Sequence, residues 1–292
     1  MFAAPPIIEP EVFATLPKEF RVKGRQDCFL EGPAFDRRGN LYVVNIPAGQ
    51  ILKVSASGEF SLVTQYEGEP NGLAIHKDGR IFIADHRRGL LVLDPQSGKV
   101  STIIDRPKRE GFKGLNDLTF TSAGDLYFTD QGQSGLHDPT GRLWRWQEST
   151  DSLDLVLNNI PSPNGLAFAI DERLLYLAVT RANAIWRVPI RGDGGPGRVG
   201  TYIQLSGGAG PDGIAAAADD GLAVAHLSMG SVWIFDGRGR PKAEIPTTTG
   251  VLVSNVCFGG LDNRLLYITE SQSGTILRAR LDVPGKALFS HL

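Results

Sequence analysis

The sequence predicts an all-β protein, a six-bladed β-propeller whose four-stranded antiparallel blades surround a central channel. A polar residue followed by a short apolar run recurs along the 292 residues. Successive copies of this unit are 40, 45, 48, 48 and 43 residues apart. Repeats of about 40 to 50 residues that contain four short strands are typical of propeller blades. The polar residues, which we call the heads, are Glu31, Asn71, Asn116, Asn164, Asp212 and Asn255.

Each unit contains further β-type segments separated by turns. In the second unit, residues 81–84 read Ile-Phe-Ile-Ala and residues 90–93 read Leu-Leu-Val-Leu. Short β-branched and aromatic segments bounded by turns predict strands, and helical periodicity is nearly absent. A fourth strand is weaker, with residues 60–63 as a candidate in the first unit. We therefore expect one propeller domain over residues 1–292, in which residues 12–16 supply the outer strand of blade six and close the ring.

The composition argues against nucleic-acid and membrane partners. Thirty Lys and Arg against 32 Asp and Glu give a formal net charge of −2, so the basic excess of a nucleic-acid-binding protein is absent. No run of 18 apolar residues and no signal-peptide pattern is present, which predicts a soluble, cytoplasmic protein. Cys28 and Cys257 lack metal-type spacing and are predicted to be buried thiols. Both a monomer and a small homo-oligomer remain open.

The heads predict an axial metal site. In a propeller the first strand of each blade lines the channel, so the heads point towards a shared axis. One isolated Asn-Gly would be an ordinary turn dipeptide. However, Glu31 precedes Gly-Pro and Asn255 has no glycine after it, so turn chemistry does not explain the whole set. Converging carboxylate and amide oxygens need a cation, for which calcium fits best; magnesium, manganese, zinc and ferrous iron stay open.

A second column of residues lies 14 or 15 positions after the heads, at the ends of the second strands. An antiparallel second strand returns to the rim where the first began, so these side chains should flank the same mouth. We expect Asp85, Asp130 and His226 to contact the substrate, and Asn45 and Glu270 to be solvated loop residues. The full column is Asn45, Asp85, Asp130, Val179, His226 and Glu270.

The ordered motifs resemble those of the family that contains senescence marker protein (regucalcin), gluconolactonase and related lactonases. The resemblance covers essentially the whole chain and implies a six-bladed propeller that opens sugar lactones with a divalent metal; some relatives cleave phosphotriesters or other esters. It is carried by Glu31-Gly-Pro, Leu115-Asn-Asp-Leu, Pro163-Asn-Gly-Leu, Pro211-Asp-Gly-Ile and Asn255-Val-Cys-Phe-Gly-Gly.

Carried over residue by residue, the resemblance implies that Glu31, Asn164 and Asp212 are the metal ligands. Asn116 would be a further ligand or a contact to the oxygens of the substrate. Gly114 departs from the pattern, because sugar-lactone members similar to regucalcin carry a substrate-contacting arginine there. Lys113 or Arg109 could take its place, so the sugar specificity stays open.

The predicted reaction is hydrolysis of a small lactone, such as a sugar lactone. A metal would polarise the carbonyl, while Asp212 takes a proton from the attacking water. Asn116 and Asp130 would orient the substrate, and Asp85 and His226 would line the mouth. His226 is the second candidate for the general base, since an imidazole needs little tuning at neutral pH.

Two other functions remain open on the sequence. The same metal site could serve a phosphotriesterase or another esterase, because fold does not settle function. Residues 71–85 also look like the repeats of propellers that bind proteins or RNA without catalysis. Such scaffolds tend to repeat one head residue, whereas Glu31 and Asp212 break the repeat here.

Overall fold

The computed structural model describes residues 4–107 and 109–292, and it confirms the six-bladed propeller. Six four-stranded antiparallel sheets surround a central axis, and the described residues contain short 3-10 turns but no α-helix. The first strand, β1, spans Glu11–Thr15. It pairs antiparallel with β24 (Thr275–Arg280), so the outer strand of blade six comes from the N-terminal segment.

The strands follow the chain blade by blade, from the axis outwards. Blade one contains β2 (Leu30–Phe35), β3 (Leu41–Asn45), β4 (Gln50–Val54) and β5 (Phe60–Gln65). Blade two contains β6 (Pro70–Ile75), β7 (Ile81–Asp85), β8 (Gly89–Asp94) and β9 (Lys99–Ile104). Blade three contains β10 (Leu115–Phe120), β11 (Leu126–Asp130), β12 (Gly141–Gln147) and β13 (Ser152–Ile160).

Blades four to six repeat the arrangement. Blade four contains β14 (Pro163–Phe168), β15 (Leu174–Val179), β16 (Ala184–Pro189) and β17 (Gly200–Gln204). Blade five contains β18 (Gly210–Ala216), β19 (Leu222–Leu227), β20 (Ser231–Phe235) and β21 (Pro241–Pro246). Blade six contains β22 (Val253–Gly259), β23 (Leu265–Glu270), β24 and β1.

The hydrophobic core is divided among the interfaces between neighbouring blades. Between blades three and four, for example, Leu143 and Ile160 pack with Leu166, Phe168 and Leu175. Burying a side chain of this size stabilises the fold by about 1.5–3 kcal/mol, so each interface holds two blades at a fixed angle. The rigid ring that results fixes where the innermost strands begin.

Every first strand is irregular at its head. The ladder with the second strand shifts register there, for instance between Glu31 and Ala34 and between Pro211 and Ile214. Such β-bulges release one or two residues from the regular alternation and can re-aim a side chain beside a functional site. The heads are therefore directed by bulges rather than by a regular pleat.

The structure differs from the sequence prediction at the head of blade six. Cys257 occupies in this blade the ladder position that Thr119 occupies in blade three. The head of blade three, Asn116, lies three residues before Thr119, and the equivalent residue in blade six is Ser254. Asn255 thus stands one place further along, which explains why no glycine follows it.

Two other features complete the fold. Cys28 and Cys257 are buried free thiols, as predicted. Over residues 4–107 and 109–292, no helix has the length and apolarity that a membrane crossing requires.

Candidate metal centre

The innermost strands bring buried oxygen-bearing side chains together around the axis. Glu31 and Asp212 are each 4% exposed, and Asn164 is 5% exposed. The two carboxyl groups lie close enough to repel each other, and Asn164 hydrogen-bonds Asp212 through its side chain. The three residues that the family resemblance named as ligands therefore belong to one cluster.

Glu31 is held by two donors. Its Oε2 atom accepts the Gly32 N–H at 2.8 Å and the Asn255 Nδ2–H at 2.7 Å. Burial raises the pKa of Glu31 well above its usual range, and the nearby charges of Asp212 and Asp117 raise it further, against the two hydrogen bonds. The two hydrogen bonds thus orient the Glu31 carboxylate, but they do not neutralise its charge.

Asp212 is the second buried carboxyl of the cluster. Burial raises its pKa to about 8; the Asn164 hydrogen bond lowers it, the charge of Asp117 raises it, and the charge of Arg181 lowers it. Arg181 is exposed, so its charge compensates this site only weakly. Such a group is protonated at neutral pH unless a cation joins it.

Asp117 is a member of the cluster that the sequence analysis did not assign. It follows Asn116, and its Oδ1 atom accepts the Leu118 N–H at 2.8 Å. Burial raises its pKa to about 7, while hydrogen bonds from Leu118 and Asn255 lower it. The signal was present in the motif Leu115-Asn-Asp-Leu, because aspartate replaces the glycine that follows most heads.

We call the residues that follow the heads the second layer: Gly32, Gly72, Asp117, Gly165, Gly213 and Asn255. The glycines of this layer make room for its two larger members. A Cβ atom on Gly72 would lie 2.7 Å from Asp117 Oδ1, and one on Gly213 would collide with the Asn255 amide. The Asn-Gly and Asp-Gly pairs therefore serve the packing of the channel, beyond any turn preference.

The cluster fits a divalent metal of the oxygen-seeking kind. The carboxyl groups of Glu31 and Asp212 are buried, and that of Asp117 is partly buried. The charges of Asp212 and Asp117 raise the pKa of Glu31, and the charge of Asp117 raises the pKa of Asp212. Such groups either take up protons or gain a cation. In the described part of the chain, no three His, Cys, Asp or Glu side chains lie close enough to hold a metal together. A bound ion would thus combine the carboxylates of Glu31 and Asp212 with the amide oxygen of Asn164, a donor set typical of calcium or magnesium.

Asn116 belongs to an amide chain beside the cluster. Its Nδ2 donates to Gln131 Oε1 at 3.0 Å, and Gln131 Nε2 donates to Ser162 Oγ at 2.9 Å. This chain ties the heads of blades three and four together. Because Nδ2 is the donor in this bond, the chain also fixes the rotation of the Asn116 amide.

Asp85 and Asp130, predicted to contact substrate, are fully buried and densely hydrogen-bonded. Asp85 accepts the Tyr66 hydroxyl at 2.9 Å and three backbone N–H groups at 2.8 to 3.0 Å. Asp130 pairs with the Arg142 guanidinium at 2.6 Å and accepts the Lys113 and Gly114 N–H groups. Their contact with substrate stays a prediction, but in the structure both side chains hold neighbouring backbone segments in place.

Both ring nitrogens of His226 are also engaged in hydrogen bonds. Its Nδ1 accepts the indole N–H of Trp233 at 3.1 Å, which leaves Nε2 to donate to the Gly207 carbonyl at 3.0 Å. Burial lowers its pKa, so the ring is the neutral tautomer that these two bonds require. A role of His226 as base would need one of them to break.

The prediction that Asn45 and Glu270 are solvated loop residues was wrong. Both are fully buried. Asn45 Nδ2 donates to the Phe20 carbonyl at 2.8 Å, and Glu270 accepts the N–H groups of Gln272 and Ser273 at 2.9 and 2.8 Å. The ends of the second strands are covered by loops; Asn45 donates to a carbonyl of one loop, and Glu270 accepts N–H groups of another.

The departure at Gly114 has a structural counterpart. A Cβ atom on Gly114 would collide with the imidazole ring of His86, and the backbone there has a φ of +142°. The space that a side chain at position 114 would enter is thus taken by His86. Lys113 lies beside it, with its N–H bound to Asp130 at 2.7 Å.

A separate cavity lies beyond the second layer. It has a volume of about 1020 Å³, and residues of the innermost strands such as Leu73, Phe120 and Phe168 line it. Asp117 and Asn255 border it, but the heads Glu31, Asn164 and Asp212 do not. The second layer therefore separates the metal centre from the rest of the channel.

Comparison with known proteins shows which family the chain is similar to. Residues 29–272 match the family model described as "SMP-30/Gluconolactonase/LRE-like region". A lactonase drp35 of Staphylococcus aureus strain MRSA252 is 30% identical over 254 residues, which cover 83% of this chain and 77% of that protein. A lactonase drp35 of Staphylococcus haemolyticus strain JCSC1435 is 30% identical over 256 residues, with the same two shares.

Two solved structures share the fold. Regucalcin of Agrobacterium tumefaciens strain C58, described as a calcium-binding protein, superposes with a TM-score of 0.82 at 22% identity and covers 99% of this chain and 98% of its own. A gluconolactonase of Xanthomonas campestris gives a TM-score of 0.78 at 21% identity, with 97% and 98% covered. The match of the family model over most of the chain confirms the resemblance of the motifs: this chain belongs to the SMP-30/gluconolactonase/LRE-like family.

Proposed function

We propose that this protein is a hydrolase that opens a small lactone with the help of one divalent metal ion. The observation that carries the proposal is the buried axial cluster of Glu31, Asn164 and Asp212, whose two carboxyl groups have no compensating buried cation among residues 4–107 and 109–292. Lactonases that are 30% identical over 83% of the chain support the reaction class. The substrate would be a free small molecule, and we propose a cytoplasmic location.

The residues of the cluster have separate proposed roles. Glu31, Asn164 and Asp212 would hold the ion, with Asn255 fixing the Glu31 carboxylate through its hydrogen bond. A bound divalent ion polarises an ester carbonyl and lowers the pKa of bound water from about 15.7 towards about 7. Asn116, whose amide is fixed by Gln131, would orient the lactone.

Asp212 is the proposed acceptor of the proton from the attacking water. Burial raises its pKa to about 8 in the metal-free protein, which supports this role. His226 is the less suitable base, because both of its ring nitrogens are engaged by Trp233 and Gly207. If Asp212→Asn kept its turnover while His226→Gln abolished it at normal metal content, the two roles would be exchanged.

Calcium is the proposed ion, because the ligand oxygens come from carboxylates and an amide. The similar fold of a calcium-binding regucalcin supports this choice. Magnesium, manganese, zinc and ferrous iron are the ions to compare. The substrate is proposed as a sugar lactone or a related aldonolactone, although His86 stands where sugar-lactone relatives carry an arginine side chain.

The test is a proton-release assay on metal-stripped protein with single ions added back. The panel contains a five-membered and a six-membered sugar lactone, dihydrocoumarin and a phosphotriester. We expect metal-dependent turnover of a lactone, lost in Glu31→Gln and kept in Glu67→Gln, a matched change at a residue whose side chain is 91% exposed. Turnover of the phosphotriester alone would replace the lactone in the proposal. Silence across the panel, in folded and metal-loaded protein, would overturn it in favour of a non-catalytic binding propeller.

A further inference from the structure

The three strands that carry the proposed ligands share a contact that does not involve the ligand side chains. In each case a buried hydroxyl of the preceding blade donates to a backbone carbonyl at the ligand or at the residue before it. Thr129 Oγ1 donates to Asn164 O at 3.0 Å, and Thr180 Oγ1 donates to Pro211 O at 2.7 Å, one residue before Asp212. We call these contacts the hydroxyl clamps.

The third clamp lies at the seam where blade six meets blade one. Ser254 Oγ and Ser271 Oγ donate to Leu30 O at 2.7 and 2.8 Å, one residue before Glu31. The two hydroxyl oxygens lie 2.9 Å apart, so the Ser271 hydroxyl has Ser254 Oγ as an alternative acceptor to Leu30 O. All the clamp residues are at most 4% exposed, so water does not compete with these bonds.

The other three seams have no such contact. Over residues 4–107 and 109–292, no serine or threonine of the preceding blade donates to the carbonyls at or just before the heads of blades two, three and six. The second strands that precede those heads end in Val-Val-Asn, Ile-Ala-Asp and Ala-His-Leu, without a hydroxyl. Clamps therefore occur at the three seams that lead to Asn164, Asp212 and Glu31, and at none of the others.

The bulges explain what a clamp contributes. At each head the ladder with the second strand is interrupted, so the local peptide planes lack the support of regular pairing. A hydrogen bond from a buried hydroxyl fixes the plane of one peptide and satisfies its carbonyl. Fixing that plane fixes the direction of the Cα–Cβ bond at the head.

We infer that Thr129, Thr180 and the Ser254–Ser271 pair are positioning residues that preset the backbone of the three metal ligands. The inference rests on the proposed function, since it assumes that Glu31, Asn164 and Asp212 hold the ion. Each clamp hydroxyl belongs to the blade before the ligand. The packing of the two blades therefore fixes the position of the clamp, and the clamp fixes the backbone of the ligand. Groups that orient metal ligands affect affinity strongly, even without touching the metal.

The experiment measures calcium affinity of metal-stripped protein by isothermal titration calorimetry. Thr129→Val and Thr180→Val keep the shape of the side chain and remove the donor. We expect each to bind calcium about tenfold more weakly than wild type. Thr129→Ser restores the hydroxyl and should return the affinity to within about twofold. Ser271→Ala should have a smaller effect, because Ser254 still donates to Leu30.

Two controls separate positioning from general stability. Ser231→Ala and Thr275→Val remove buried hydroxyls whose partners are the Glu244 carboxylate and the Thr249 hydroxyl, away from the heads. We expect them to lower the melting temperature of the metal-free protein as much as the clamp variants do, without changing calcium affinity.

The outcomes distinguish the two proposals. Wild-type calcium affinity in both Thr129→Val and Thr180→Val would overturn the inference about the clamps but not the proposed metal site. Loss of affinity in the controls as well would assign the effect to general stability and would also overturn the clamps. Wild-type protein that binds none of the candidate ions would overturn the proposed function, and the clamps with it.

Discussion

Two rings of buried polar side chains flank the same end of the channel, and their carboxyl groups differ in the number of hydrogen-bond donors and counter-charges that reach them. The outer ring, at the ends of the second strands, includes Asp85, Asp130 and Glu270, which are all fully buried. Each accepts several backbone or side-chain donors, and Asp130 also has a buried arginine beside it. Such groups are satisfied by the fold itself.

The inner ring, at the heads, is not satisfied in this way. Both donors to Glu31 reach the same oxygen, and Asp212 is held chiefly by Asn164. The pKa of each carboxyl is raised by burial and by the negative charge of another carboxyl. The comparison teaches that burial of an acidic side chain does not by itself indicate a functional site; a shortage of donors and counter-charges does.

Replacing Asp212 is expected to have the largest effect, a loss of turnover without a loss of folding stability. Asp212→Asn should reduce metal-dependent turnover by at least about 10³-fold, because it removes a ligand and the proton acceptor together. The melting temperature of the metal-free protein should stay the same or rise, since one of the mutually repelling carboxyl groups is gone. Turnover and thermal unfolding of the same preparations test this. A strong loss of stability would place Asp212 with the outer ring.

The converse is expected for Asp130. Asp130→Asn leaves the Arg142 guanidinium buried without its partner, which costs about 3–5 kcal/mol of unfolding free energy. Calcium affinity of the folded protein should change by less than about twofold. Asp262→Asn is the matched control, because its ion pair with Arg280 is exposed and is expected to contribute little to stability. Urea unfolding gives the free energies, and a selective loss of affinity in Asp130→Asn would move Asp130 into the inner ring.

The sequence predicted the fold because repeat length and strand pattern are local properties. The same spacing located Glu31, Asn164 and Asp212 at strand heads, and the family motifs marked them as ligands. It could not decide the burial of Asn45 and Glu270, because their partners are backbone groups of loops that spacing does not place.

The second layer shows another limit of spacing. Asn255 was aligned with the heads because its position fits the repeat, but the ladder pairs place Ser254 in blade six where Asn71 stands in blade two. Asp117 drew no role because its neighbour Asn116 was the aligned head. The repeat length varies by several residues between blades, so the layer to which a residue belongs becomes visible only in the ladder pairs.

Asn255 is a test of whether the second layer serves the inner ring. Removing its hydrogen bond to Glu31 should let the carboxylate rotate, so Asn255→Ala is expected to weaken calcium binding by about tenfold. Asn40→Ala is a suitable control, because it deletes a similar amide-to-carboxylate bond of 2.8 Å in a hairpin turn. Calorimetric titration of both variants is decisive. Equal affinities would show that Glu31 is oriented without Asn255.

The smallest expected effect is a pH dependence of stability that arises from Asp212 of the inner ring and Asp117 of the second layer. Asp212 and Asp117 have pKa values of about 8 and about 7 in the folded protein, against an ordinary value of 3.8. The folded state therefore holds protons that the unfolded state has already released. Their contribution to stability is complete below about pH 4 and is lost as the pH rises through 7 and 8.

In chelator, the melting temperature of wild type should therefore fall by a few degrees between pH 6.5 and pH 8.5. Saturating calcium should reverse this trend, because the ion takes the place of the protons. His226 cannot cause this fall, because burial lowers its pKa and its contribution to stability therefore increases as the pH rises through its unfolded value of 6.5. Asp212→Asn should flatten the curve in chelator, whereas Asp130→Asn should lower it without changing its slope. A metal-free melting temperature that rises over this range would mean that the carboxyl groups of the inner ring, like those of the outer one, are compensated by the protein itself.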